Sequence, residues 1–280
     1  MNIQMNSAAT SMRELQKKVD VIANNISNVN TMGYKRQEAN FSDTLVQSIT
    51  RQAGSGNEIG RVTPDGLRIG SGARVTQTSL RNEQGTIQQT DQPFDFSIQG
   101  NSGFFRLMSD GKIAYTKDGS FQVQPVLNSD QVNLVTANGD AVLDINNNPI
   151  SFGSDYAEVK ANQNGNLQIV YKDPGKPPTE IQLSIADINH PNLLEKIGGN
   201  RYQLPGTEAQ QAANGALRIV NLSQPNNSGI RVNQGSLEMS NVDLTEEMTE
   251  LISTQRLIQS QGKAISFADD MMGVVNTIRG

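Results

Sequence analysis

The chain contains no cysteine and no tryptophan, and its one histidine is His190. Without thiols it has no disulfide, no zinc–thiolate site and no thiol nucleophile. With a single imidazole, His-based acid–base catalysis and a His-rich metal site both lose their basis. Aromatic residues fill 5% and charged residues 18% of the 280 positions. The balance of 23 Lys+Arg against 28 Asp+Glu leaves no global basic field for nucleic acid. Uninterrupted apolar runs are only a few residues long, so no segment is expected to span a membrane. Met1 to Thr10 is polar and lacks a basic stretch followed by an apolar one, so no cleaved secretory signal is expected.

What is present is amide. The chain carries 29 Asn and 25 Gln, while hydrophobic residues make up 35%. That apolar share is low for a globular domain, yet a net charge of −5 is too small for wholesale disorder. The composition describes a polar, uncharged, surface-rich protein that lacks one large core.

The two ends differ in kind from the middle. At the N-terminus the apolar positions run Met5, Ala8, Met12, Leu15, Val19, Ile22, Ile26 and Val29. Their steps alternate three and four, the repeat of a coiled-coil seam. Asn28, Asn30 and Thr31 then weaken the helix, and Gly33 can take the left-handed conformation that ends one. At the C-terminus Asp243 followed by Glu246 reads as an N-cap and capping box. Leu244, Leu251, Ile258, Ile265 and Met272 fall seven apart, with Met248, Gln255 and Gly262 at the second seam position. Both ends are expected to be amphipathic helices spanning roughly 45 Å or so at 1.5 Å per residue. Two helices alone leave outer faces uncovered. Met1, Met5, Met12, Met248, Met271 and Met272 are adaptable contacts for further helices, so the seams are read as surfaces for other chains.

Between the ends lies strand material. Phe94, Phe96 and Ile98 alternate with polar residues, the period of a half-buried strand. Similar runs are Phe121–Gln124, Val132–Thr136, Ala141–Ile145, Leu167–Tyr171, Ile181–Ile185 and Leu217–Leu222. Asp110-Gly111, Asp118-Gly119, Asn138-Gly139 and Asn164-Gly165 are hairpin signals between them. Helical patterns do not alternate with these strands, so the sheet is expected to be antiparallel. One short helix is expected around Asn192–Ile197, after Pro191. Gln52–Gly72 and Ser223–Gly235, rich in Gly and Pro or Asn, read as connectors. The fold class is therefore mixed and mainly β, an antiparallel domain inserted between coiled-coil-like helices. Three parts follow: helices at 1–33 with 243–280, an extended or β connector at 34–90 with 223–242, and the β domain at 91–222.

Candidate chemistry is sparse. Gly54-Ser55-Gly56 with Gly60 has no strand before it, no following Lys and no helix after it, so it reads as a linker rather than a phosphate loop. Asp144, Asn146 and Asn148 have calcium-loop spacing, but Pro149 stands where such a loop needs Gly, which favours a polar turn. His190 lacks Ser and Asp partners. Asp269-Asp270 has no cleft, and Glu246-Glu247 complements a helix N-terminus. No catalytic, cofactor-binding or metal-ligating set is read from the sequence.

Asp20-Val-Ile-Ala-Asn-Asn-Ile-Ser-Asn-Val-Asn-Thr-Met-Gly-Tyr-Lys-Arg36 resembles the N-terminal signature of bacterial flagellar rod, hook and hook-associated proteins. Its matching positions are Asn24, Asn25, Asn28, Asn30, Thr31, Gly33, Tyr34 and Lys35. Gln234 to Asp243, with Ser240, Asn241, Val242 and Asp243, resembles the signature before the last helix. Thr254-Gln255-Arg256 resembles its Thr-Gln-Arg segment. Gly66–Val75, Gly100–Phe105, Ala114–Phe121 and Leu134–Gly139 look like the body of the distal-rod subfamily.

The resemblance implies a structural subunit of the flagellar basal-body rod or rod–hook junction, not an enzyme, and no cofactor. It implies export through the flagellar type III apparatus without cleavage, then folding into a helical tube. The terminal helices would line the core and the β domain would face outward. Partners would be copies of itself, neighbouring rod and hook subunits and the export apparatus. Asn24, Asn25, Asn28 and Asn30 can end the helix and cap the turn after it, and a mixed role is expected in which their amides also pin the helix exit against neighbouring subunits. A competing reading from the residues is a coiled-coil stalk that displays a cell-wall or surface binding module.

Overall fold

The computed structural model describes residues 2–43, 46–49, 67–70, 73–127, 129–220 and 229–279. The readings on Met1, on the glycine-rich stretch at 51–66, on 71–72 and on 221–228 lie outside the described residues. Helix α1 (Asn2–Ser27) opens the chain, α2 (Glu208–Ala213) is one short turn, and α3 (Leu244–Arg279) closes it. Between α1 and α3 the chain is mainly antiparallel strand, as the alternating runs require.

By internal contacts the chain forms two compact units. One gathers Met1–Ile26, Gln37–Ser79 and Leu244–Gly280. Within it, strand Gln37–Asp43 pairs with Ala73–Leu80, and Val46–Ile49 pairs antiparallel with Leu67–Gly70. The second unit gathers Ser27–Arg36 and Leu80–Asp243. The signature segment after α1 therefore folds with the β unit.

The β unit is built on strand Gly103–Ser109. It pairs with Lys112–Thr116 along one edge and with Ala141–Val142 and Ile185–Ile188 along the other. Alternation along this strand supplies two cores. Phe105 and Leu107 enter a cluster with Phe96, Phe121, Leu134, Phe152, Ile169 and Ile185. Phe104 enters a second with Tyr115, Tyr202, Leu204 and Leu217. The scarce aromatics concentrate here, for example as the Phe105–Phe121 pair at 5.1 Å between ring centroids. Each fully buried Phe contributes about 2 kcal/mol or more of apolar transfer, so a chain poor in aromatics still fills a real core.

Turn chemistry explains the register. Asp110 at φ +49° and Gly111 at +74° form the two-residue loop that sets Ser109 opposite Lys112. Gly139 and Gly165, also left-handed, each donate a backbone bond three residues back, to Thr136 and Asn162. Asp118-Gly119 behaves differently. Lys112–Thr116 and Phe121–Pro125 do not pair with each other; Phe121–Pro125 pairs with Gln131–Thr136. The Gly119 carbonyl accepts from Phe96 N instead, and a Cβ at Gly119 would lie 1.8 Å from the Phe96 carbonyl oxygen. This dipeptide serves a close chain crossing rather than a hairpin.

Other expectations need correction. Ile181–Ile185 is not one strand: Thr179–Gln182 joins a three-stranded sheet and Ile185–Ile188 joins the large one. The helix expected at Asn192–Ile197 is a 3-10 turn at Pro191–Leu193 followed by strand Glu195–Gly198. Helix α2 was not expected. Its signal is Thr207 with Gln210 three residues on, whose Oε1 accepts from Thr207 N at 3.2 Å. Helix α1 stops at Ser27, so Val29 lies beyond it. Thr31 N donates to Asn28 O at 3.1 Å and Thr31 Oγ1 to Asn28 Oδ1 at 3.2 Å. Those local bonds compete with the helix just where the seam pattern would extend it.

Candidate assembly site

In the unit that holds both helices, three relationships set α1 and α3 antiparallel. Asn25 Nδ2 donates to Glu247 Oε1 at 3.2 Å, Lys18 Nζ pairs with Glu250 Oε1 at 2.6 Å, and the Met12 methyl faces Gly262. Met5, Ala8, Met12, Leu15, Val19 and Ile26 are half-buried on this seam, and Ile22 is fully buried. On α3, Leu251, Ile258, Ile265 and Met272 are half-buried in the expected seven-residue steps.

The second row of α3 differs from the sequence reading. Glu247 and Thr254 are buried and Gln261 and Ala268 half-buried, whereas Leu244, Met248 and Gln255 are exposed. From Leu244 and Leu251 the buried partner lies three positions on, at Glu247 and Thr254, while after Ile258 both Gln261 and Gly262, which faces the Met12 methyl, are half-buried. Asn25 decides this, because its amide requires the polar Glu247 rather than the apolar Met248. A buried polar contact of this kind specifies register at some cost in stability.

Asn25 is 1% exposed and also holds the chain that returns to the helices. Its Nδ2 donates to Gln37 O at 2.9 Å and its Oδ1 accepts from Gln37 N at 3.0 Å. The side-chain amide thus acts as a strand partner, satisfying both backbone groups of Gln37. Of the mixed role expected for these amides, Asn25 shows the local part: it holds the helix exit within its own chain, through Gln37 and Glu247. Asn24 and Asn30 are exposed.

In the β unit the two signatures meet. Gly33, at φ +66°, donates its N–H to the Glu238 carbonyl at 2.8 Å. Tyr34 is 0% exposed, with the Lys196 ammonium over its ring at 4.6 Å. Arg36 N donates to Asn241 Oδ1 at 2.7 Å, while Asn241 Nδ2 donates to Arg81 O and Glu83 O at 2.9 and 3.0 Å. Val242 is buried and Ser240 and Asn241 half-buried, whereas Asp243, Gln255 and Arg256 are exposed.

The sequence reading did not single out a buried charge cluster at this meeting point. Lys35, Lys117 and Glu238 are each 1–2% exposed. Lys35 Nζ donates to Glu238 Oε1 at 2.6 Å and to Glu83 O at 2.6 Å. Gly85 N donates to the same Oε1 at 3.0 Å. Lys117 Nζ lies 3.8 Å from Glu238 Oε2, 5.2 Å from the Phe104 ring centre and 2.9 Å from Gly100 O. Burial pushes the Lys117 ammonium down to about 8; Glu238 opposes that shift and Lys35 adds to it. The available signal was weak: Lys117 follows strand Lys112–Thr116 next to Asp118, and Glu238 is the one charge between Arg231 and Asp243.

The polar turn at Asp144 is also explained. Its Oδ1 accepts from Asn146 N at 2.9 Å and Asn148 N at 2.7 Å, an Asx-type turn that uses the calcium-like spacing for backbone capture.

Three family models match the chain in order. Residues 5–35 match flagella basal body rod protein, 97–169 the flagellar hook protein FlgE/F/G D1 domain, and 233–278 the flagellar basal body rod FlgEFG protein C-terminal region. The chain is 35% identical to the flagellar hook-basal body complex protein FlhP of Bacillus subtilis, over 98% of both chains. It is 33% identical to the flagellar basal-body rod protein FlgG of Caulobacter vibrioides, again over 98% of both.

The chain belongs to the flagellar basal-body rod protein family.

FlgG of Bacillus subtilis is likewise 33% identical over 95% of each chain. The first and last matched stretches include most of α1 with Gly33–Lys35 and Gln234–Asp243 with most of α3. The family's sequence signatures therefore coincide with the antiparallel helix pair and with the buried Lys35–Glu238 junction.

Proposed function

We propose that this rod-family chain polymerises through its terminal helices into the helical shaft of the bacterial flagellar basal body. The carrying observation is the surface of α3. Leu244, Met248, Ile252, Leu257, Phe267, Met271, Val274 and Val275 are all exposed, and they point to several sides of the helix. Apolar side chains on several sides of one helix, set among exposed charges such as Arg256, Lys263 and Asp269, are suited to further helix contacts, and α1 covers only one side. A head-to-tail array supplies the remaining cover, because heterologous contacts propagate without closing.

In this reading 1–33 with 243–280 form the shaft core, 34–90 with 223–242 connect it, and the β domain at 91–222 faces outward. Neighbouring copies, other rod subunits and hook subunits meet the exposed seam residues. The chain reaches its place uncleaved through the flagellar export apparatus, and its role is structural rather than catalytic. Among the described residues no helix is long and apolar enough to cross a membrane.

Electron microscopy of basal bodies from a strain lacking this chain tests the proposal. Truncated rods without hooks are the expected result. Complete rods with normal hooks and motility overturn it.

A further inference from the structure

We propose that Glu238 is a latch that admits residues 33–36 to the β unit only once the C-terminal signature strand is in place. The carboxylate sits in strand Ser236–Glu238, which pairs with Ile87–Gln89. It takes hydrogen bonds from Lys35 Nζ and Gly85 N, faces Lys117 Nζ, and its own carbonyl accepts from Gly33 N. Its partners stand 203 and 153 positions earlier in the chain. One residue thus closes contacts among three stretches that no local folding brings together.

Charge makes the closure conditional. The cluster holds two ammonium groups and one carboxylate, all shielded from water. Glu83 O and Gly100 O accept hydrogen bonds from the two lysines but carry no charge to offset them. Asp118, the acid next to Lys117 in the chain, turns its Oδ1 to Ser120 N and Oγ at 3.0 and 2.7 Å. Without Glu238, seating Lys35 would bury a second cation beside Lys117 with no anion present. Removing one partner of a buried pair is far more costly than replacing the whole group with apolar residues. The junction therefore stays open until residue 238 arrives, and only α3 with its short lead-in remains to be placed after it. This device belongs to the single chain, so it stands or falls apart from rod assembly.

The test compares limited trypsin digestion of the full chain and its Glu238→Gln variant, following cleavage after Arg36 by mass spectrometry. Cleavage there is expected to speed up at least tenfold, while peptides from 103–116 stay as protected as in the parent. An unchanged rate after Arg36 overturns the latch. A charge-free variant, Lys35→Met with Lys117→Met and Glu238→Leu, decides the case in which Glu238→Gln unfolds throughout. Restored protection after Arg36 supports the latch, and continued rapid cleavage overturns it.

Discussion

Gly33 packs so tightly on Asp118 that a Cβ built on it would lie 2.4 Å from the Asp118 backbone nitrogen and 2.6 Å from the Lys117 carbonyl carbon. The obstacle is backbone on both counts, and the φ of +66° is unfavourable to most residues other than Gly, Asn and Asp. Gly33 is thus fixed by the wall it touches as well as by the turn it makes.

Gly33→Ala is therefore expected to cost about 3 kcal/mol, combining left-handed strain of about 1 kcal/mol with a clash that only backbone movement relieves. Urea unfolding of the full chain measures it. A change below about 0.5 kcal/mol would show that the junction yields freely.

Asn25→Ala removes the partner of both backbone groups of Gln37 and of Glu247. We expect a loss of about 2 to 3 kcal/mol, since buried polar groups are left unpaired. Asn25→Asp should cost at least as much, because its charge meets Glu247 at hydrogen-bond distance. Hydrogen exchange should show faster opening of α1 and of strand Gln37–Asp43, with strand Gly103–Ser109 unchanged.

Lys117 gives the folded chain a defined pH response. Its folded value is lowered to about 8 against an ordinary 10.5. Between these values the unfolded chain holds the proton and the folded chain does not, so stability rises with pH. The gain across that interval is roughly 3 kcal/mol at most. The groups facing Lys117 are Glu238 and Lys35, with Asp118 adjacent and Asp95 beyond it. Tyr115 is raised to about 12 by burial and Tyr202 is raised as well, so both oppose the gain above pH 10. Denaturant midpoints should therefore climb from pH 7 to 9.5, and Lys117→Met should flatten the climb.

Phe267 is 67% exposed on α3, away from the seam with α1. Phe267→Asp should change the stability of the isolated chain by less than about 0.5 kcal/mol, as surface substitutions usually do. The same change should abolish motility when the variant replaces the parent chain. Normal motility would remove Phe267 from the assembly surface.

Much of this was legible in the residues. The seven-residue steps of Leu251, Ile258, Ile265 and Met272 placed one face of α3, and Asp110-Gly111 placed a hairpin to the residue. Both are local signals, written in spacing and in the φ a turn demands. The second row of α3 was not legible, because Met248 and Glu247 are equally possible until Asn25 is brought opposite. Asp118-Gly119 carried the hairpin signal and served a chain crossing with Phe96, a contact that spacing does not encode.

By itself, the sequence determined two helical ends, an antiparallel middle, the family signatures and the exclusion of thiol chemistry. Periodicity, turn residues and composition act over a few positions, so one strand of text suffices to read them. Only the tertiary structure decided that Lys35, Lys117 and Glu238 share one buried site, and that Asn25 serves its own chain. Those outcomes depend on which distant segments meet, and on the cost of burying a charge or an amide without its partner. The scarcity of aromatics and charge thus acquires a location: the rings fill the β cores, and three of the few charges hold the junction shut.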